Sequence, residues 1–182
     1  MAESIHAYAE KTLGTADSEA GARALLRTRL STALTLARDA GGVVALIASE
    51  IAPGTPMPVM ITIYSPRELR MTPAIGTSTQ AVSTILKRGL TELGIEGIDG
   101  ATELAIEGSA ILRIVREQDV ELHPDVPEQK MGSLIADYWY TVPGSKQVVL
   151  ANFMTPLADI PTVMLSFFDA AVLASYFVEA KA

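Results

Sequence analysis

The segment LIADYWYTVPGSKQVVLANF, residues 134–153, holds two runs of strand-forming residues on either side of Pro143-Gly144-Ser145-Lys146. Alternation apolar to polar with a turn cluster between reads as a β-hairpin, Leu134 to Val142 and Gln147 to Phe153. Its two faces are equally informative. Leu134, Ala136, Tyr138, Tyr140 and Val142 share one side, and Ile135, Trp139 and, less comfortably, Asp137 share the other. In the second strand Val149, Ala151 and Phe153 oppose Val148 and Leu150. A sheet apolar on both faces needs cover on both, so helices are expected above and below it.

Outward from this hairpin the chain reads as helix, strands, helix, strands, helix. A helix is expected from about Ser18 to Ala40, with Asp17 as N-cap and Gly41-Gly42 at its end. Leu26, Leu30, Ala33, Leu34 and Ala37 form its apolar stripe. Residues 1–14 add a short helix before it. Val43 to Ala48 and Val59 to Tyr64 are strand-length apolar runs, separated by the turn-forming EIAPGTPMP. Thr77 with Gln80 fits a capping box opening a helix whose face is Val82, Ile85, Leu86, Gly89, Leu90 and Leu93, with Gly94 at its end. Thr102 to Glu107 and Ala110 to Arg116 flank Gly108-Ser109, as a tight hairpin or as one strand with a glycine bulge. A last helix runs from Thr162 to Val178, apolar nearly all round. The expectation is one domain over residues 1–182, with a helical arm at 1–40 and a core at 41–182. Its class is α/β (α+β), a largely antiparallel six-stranded sheet in an α/β/α sandwich.

YWYTVPGSKQVVLANFMTPLADIPTVMLSFFDAAVLASYF, residues 138–177, and ELAIEGSAILRIVRE, residues 103–117, resemble the closing hairpin and helix, and the preceding strand–Gly–strand passage, of the Mog1/PsbP-like fold. The resemblance spans about residues 42–180 and rests on pattern; the leading helix departs from it. It implies a fold and no shared enzyme chemistry.

Composition narrows the function. The 182 residues are 49% hydrophobic and 19% charged, with a mean hydropathy of +0.30, a globular balance. Without cysteine there is no disulfide scaffold and no thiolate metal site. A net charge of −7 argues against phosphate-backbone binding, so no nucleic acid is expected. MAESIHAYAEKTLG lacks the pattern of a secretory signal, which leaves a cytoplasmic location as the expectation. Ile160 to Val178 imitates a membrane span, but Pro161 opens it and Asp169 interrupts it, so a buried helix is the better account.

Of the two histidines, His123 lies between Glu121 and Asp125, a set of residues able to hold a divalent cation or act as a general base. Pro124 and Pro127 keep that segment extended, and a solvated loop is the plainer reading. Asp137 and Asp169 could form an acid–base pair, yet nothing beside them supplies a nucleophile. Asp137 is read instead as a sheet position reached by a lysine or by water, and Asp169 as the solvent or cap side of its helix. No phosphate loop, nucleophile elbow or zinc-binding helix motif occurs. No catalytic residue, metal or cofactor is therefore assigned.

Charge is concentrated. Glu92, Glu96, Asp99, Glu103, Glu107, Glu117, Asp119, Glu121, Asp125 and Glu128 stand against only Arg113, Arg116 and Lys130 in residues 92–130; the rest of the chain balances. Such a region can steer a basic protein partner. The reading that follows is a non-catalytic, cytoplasmic protein-interaction or scaffold module, with a homodimer as one form. The alternative is a small-molecule-binding protein or minor enzyme, with a pocket between sheet and helix and Gly108, Trp139 and Tyr140 near its mouth. The closing helix has more apolar surface than one sheet face can cover. The surplus must meet the N-terminal helix, a second copy or a foreign partner. The stripe at 26–37 is the nearest candidate cover, so the arm is expected to fold back onto the core.

Overall fold

A computed structural model describes residues 2–52, 54–66, 71, 76–121 and 130–178. Among these residues six strands form a single antiparallel sheet, flanked by four α-helices. The strands are β1 (Gly42–Ala52), β2 (Thr55–Tyr64), β3 (Thr102–Ile106), β4 (Ser109–Glu121), β5 (Lys130–Thr141) and β6 (Val148–Thr155), in the order β1-β2-β6-β5-β4-β3. The helices are α1 (Ala2–Leu13), α2 (Ala20–Asp39), α3 (Thr79–Glu92) and α4 (Pro161–Leu173). Strands β5 and β6 pair through Tyr138↔Ala151 and Trp139↔Leu150, so the 134–153 hairpin occupies the middle of the sheet. The passage around Gly108 is a hairpin, Ile106 opposite Ser109, with Gly108 in the left-handed region at φ 72°.

Cross-strand rows give each face its identity. One row runs Leu46, Ile61, Phe153, Ala136, Val115; its neighbour on the other face runs Ala45, Thr62, Asn152, Asp137, Ile114. On the first face α4 lays Met164, Phe168 and Val172 over Leu134, Ala136, Tyr138, Ala151 and Phe153. On the second, α3 lays Val82, Leu86 and Leu90 over Leu112, Ile114 and Val148, with Trp139 beside them. The two-sided hairpin is thus covered on both sides, and the architecture is an α/β/α sandwich. Leu86→Ala is expected to cost about 2–5 kcal/mol, because it empties a buried site. Urea unfolding measures this, and a loss below about 0.5 kcal/mol, typical of exposed positions, would misplace the helix face.

The arm folds back onto the core, but not as a cover for the closing helix. Gly42 makes the chain reverse so tightly that a Cβ there would stand 2.7 Å from the Ala37 carbonyl oxygen. This lays α2 along the second face, where Leu30 and Leu34 approach Ala45 and Ile47, and Ala37 lies by the buried Thr62. Helix α1 packs on α2 through Ile5 and Ala9. The sheet therefore separates the arm from α4. The tight turn keeps α2 against β1, the strand it precedes.

Three helix ends also differ from expectation. The residue preceding α2 is Glu19, after a 3-10 turn over Asp17–Glu19, and neither supplies a side-chain cap. Helix α3 is capped by Ser78, whose hydroxyl accepts from the Ala81 N–H, rather than by Thr77. Helix α4 stops at Leu173. There the Ser175 hydroxyl donates to the Val172 carbonyl at 2.6 Å, and Phe177 swings edge-on to Tyr140, centroids 6.2 Å apart. Among the described residues no helix is long and apolar enough to cross a membrane.

Candidate functional site: the α4 face and the charges beneath it

Asp169 does not face solvent. It points down onto the sheet, where its carboxylate pairs with Arg113 of β4 and accepts the Tyr138 hydroxyl at 2.7 Å. Arg113 also donates to the Thr102 hydroxyl at 3.1 Å. Asp137, on the opposite face, pairs with Arg116 and accepts from Asn152 Nδ2 at 2.6 Å. Arginine, not lysine or water, therefore reaches both carboxylates. Since Asp137 and Asp169 lie on different sides of the sheet, they do not form an acid–base pair.

These clusters look structural in their chemistry. Each aspartate is held by an arginine and by a second side chain, Tyr138 for Asp169 and Asn152 for Asp137. Burial, and then the bond to Asp169, push the Tyr138 phenol well above its ordinary value; burial also raises Tyr140. The sign of the consequence is fixed. Above about pH 10 the unfolded chain loses these phenolic protons while the folded chain keeps them, so stability falls as pH rises. Tyr138→Phe with Tyr140→Phe is expected to flatten that alkaline fall, measured by urea midpoints between neutral and strongly alkaline pH.

The acidic residues do not form one patch. Glu103 sits on the α3 side and pairs with Lys87 at 2.9 Å, while Glu92 pairs with Arg88 on α3 itself at 3.4 Å. Glu96 and Asp99 lie between α3 and β3, and Glu107 at the β3–β4 turn. Glu117, Asp119 and Glu121 lie opposite Leu134, Gly132 and Lys130, and so form a row on the α4 face, on the part of β4 that extends beyond β3. His123, Asp125 and Glu128 fall outside the described residues. Among the described residues no group of histidine and carboxylate side chains could hold a metal. His123→Ala is expected to leave any function intact, with metal analysis of the purified protein finding no stoichiometric ion; a bound metal that vanished in that variant would overturn the reading.

Trp139 and Tyr140 do not share a pocket mouth with Gly108. Trp139 packs in the α3 layer, and Tyr140 is buried on the other face beneath Phe177 and Ser175. Gly108 lies in the β3–β4 turn, against Pro143.

The feature that stands out is what α4 leaves uncovered. Val163 is 59% exposed, Phe167 37%, and Ile160, Leu173 and Tyr176 are exposed beside them. The helix is too apolar for one sheet face, and the arm expected as its cover lies on the other face. On the same face Val44 and Leu46 of β1 are 47% and 56% exposed, with Ile61 and Ile63 half-buried next to them. The fold and site together define an α/β/α sandwich whose α4 carries exposed apolar side chains on its outer side. No family model, curated protein or solved structure matches the chain.

Proposed function

We propose that the protein is a non-catalytic interaction module of the cytoplasm that binds other protein surfaces through its α4 face. The observation that carries this is the exposed apolar run Ile160, Val163, Phe167, Leu173 and Tyr176. Single apolar side chains are ordinary on a protein surface; five exposed on one short helix and its two ends support an interaction site. The neighbouring row Glu117, Asp119 and Glu121 adds a preference for a partner that carries basic residues beside its apolar ones.

Affinity capture from native lysate at low and high salt tests the reading, run in parallel with Phe167→Glu and with Glu117→Lys. A partner held by the apolar face is lost with Phe167→Glu at any salt. One steered by the acidic row weakens as salt rises, since screening shortens to about 3 Å at 1 M. Capture unaffected by either substitution would overturn the assignment.

A second reading has one observation in its favour. An apolar cavity of about 400 Å³ lies between α1, α2 and β1, lined by Ile5, Tyr8, Leu30, Leu34, Ala45 and Ile47. A small apolar ligand seated there would raise the melting temperature by mass action. A thermal-shift screen in which no apolar compound moves the transition would remove this alternative.

A further inference from the structure

We infer that the groove between the helical arm and the sheet binds an unbranched aliphatic chain with an uncharged oxygen head, a primary alcohol of about ten carbons being the simplest case. This rests on the second reading above and names its ligand class. The groove has two chambers on the same face of the sheet. The larger, about 400 Å³, lies between α1, α2 and β1. The smaller, about 170 Å³, continues along the end of α2 as far as Gly42 and Thr62. Leu34 and Ala45 line both, so the chambers meet there. Leu30 and Leu34 stay half-buried and Ala45 exposed, although helix and strand face each other. The reversal at Gly42 accounts for this. It holds the end of α2 close, with Ala37 buried, and the groove widens from there toward Leu30.

Length, lining and charge each restrict the occupant. The helical wall from Leu30 to Arg38 runs about 12 Å, and the strand floor from Gly42 to Ile47 about 16 Å. An extended chain advances about 1.2 Å per bond, so about ten carbons reach from one end of the wall to the other. A compact ring system fills the larger chamber alone and makes no contacts in the smaller one. The walls are mainly aliphatic, which favours a saturated tail over water. The hydroxyl-bearing residues of the larger chamber, Ser4 and Tyr8, lie four positions apart on α1 and so share one side of it. They place the polar head at the wide end, where its oxygen can bond to either hydroxyl. Among the described residues Arg38 is the one charged group lining the two chambers, and it pairs with the exposed Asp39 at 3.2 Å. A carboxylate or ammonium head therefore meets no net opposite charge, and the C-terminal carbonyls of α2 further disfavour an anion.

Calorimetric titration of the full chain with primary alcohols from hexanol to dodecanol tests this. Affinity is expected to rise about fourfold per methylene until the chain reaches about ten carbons, and then to level off. Methyl NMR should place the shifts at Leu30, Leu34 and Ile47 and not at the exposed Val163 and Leu173 of α4. Decanoate and naphthalene should each bind about tenfold more weakly than decanol, the first for its charge and the second for the contacts it lacks. Ala45→Phe fills the junction of the chambers from an exposed position. It should abolish the decanol heat and leave the melting temperature without alcohol unchanged or raised. Ser4→Ala with Tyr8→Phe should weaken decanol about fivefold by removing the head's partners.

Shifts confined to α4, an affinity independent of chain length, or decanol binding untouched by Ala45→Phe would each overturn the assignment. The cavity reading fails separately. Decanoate or naphthalene bound in the groove more tightly than decanol overturns the ligand class alone. If none of the three moves the Leu30, Leu34 and Ile47 methyls, both readings fall.

Discussion

Asp169→Ala is expected to destabilise the fold by about 3 kcal/mol, the lower end of what breaking a buried ion pair costs. The lower end applies because the two side chains retain 17% and 24% of their exposure, so water shares part of the charge. The loss has two sources. Arg113 is left as a largely buried charge whose Nε already has no partner, and the Tyr138 hydroxyl loses its acceptor beneath α4. Replacing both partners, Arg113→Met with Asp169→Leu, should recover most of the loss, since an apolar pair of similar volume leaves no charge to desolvate. Chemical unfolding of the single and double variants decides this. A double variant no more stable than Asp169→Ala would show that the pair itself holds α4 in place.

Phe168→Ala should cost about 3–5 kcal/mol, because the side chain has no exposed surface and its ring meets Phe153 at 5.0 Å. Its neighbour supplies the contrast. Phe167→Ala removes a ring of the same size, but one whose position is 37% exposed and outside the buried core cluster, so the loss to the single chain should be far smaller. The two substitutions separate the buried side of α4 from its outer side. Urea unfolding of the two variants reads the difference. Equal losses at both positions would mean that Phe167 belongs to the core.

Much of the sandwich was legible because its signals are local. The alternation in residues 134–153 marked two strands and, with apolar residues at both parities, marked both faces as buried. Val82, Leu86 and Leu90 recur at helical spacing and are buried as that spacing required. What failed depended on partners far away in the chain. Asp169 looked like a surface residue because a lone acid in an apolar helix has no visible partner, and Arg113 lies 56 positions earlier. The α3 cap is the local exception: Ser78 and Thr77 are both competent caps, and Ser78 accepts from the Ala81 N–H.

The sequence by itself determined that this chain builds a two-sided antiparallel sheet, because periods of two and of 3.6 residues are written in the order of side chains. It also determined that the closing helix carries more apolar surface than one sheet face can cover. Only the tertiary structure decided where the surplus goes. The tight reversal at Gly42 keeps α2 against β1, on the face opposite α4, and the strand order places β1 at the edge, outside the core cluster that α4 forms with β2, β5 and β6. Side-chain periodicity says how much of an element must be buried. Which neighbour buries it depends on chain reversals and strand order, and these set the relative placement of segments more than a hundred residues apart.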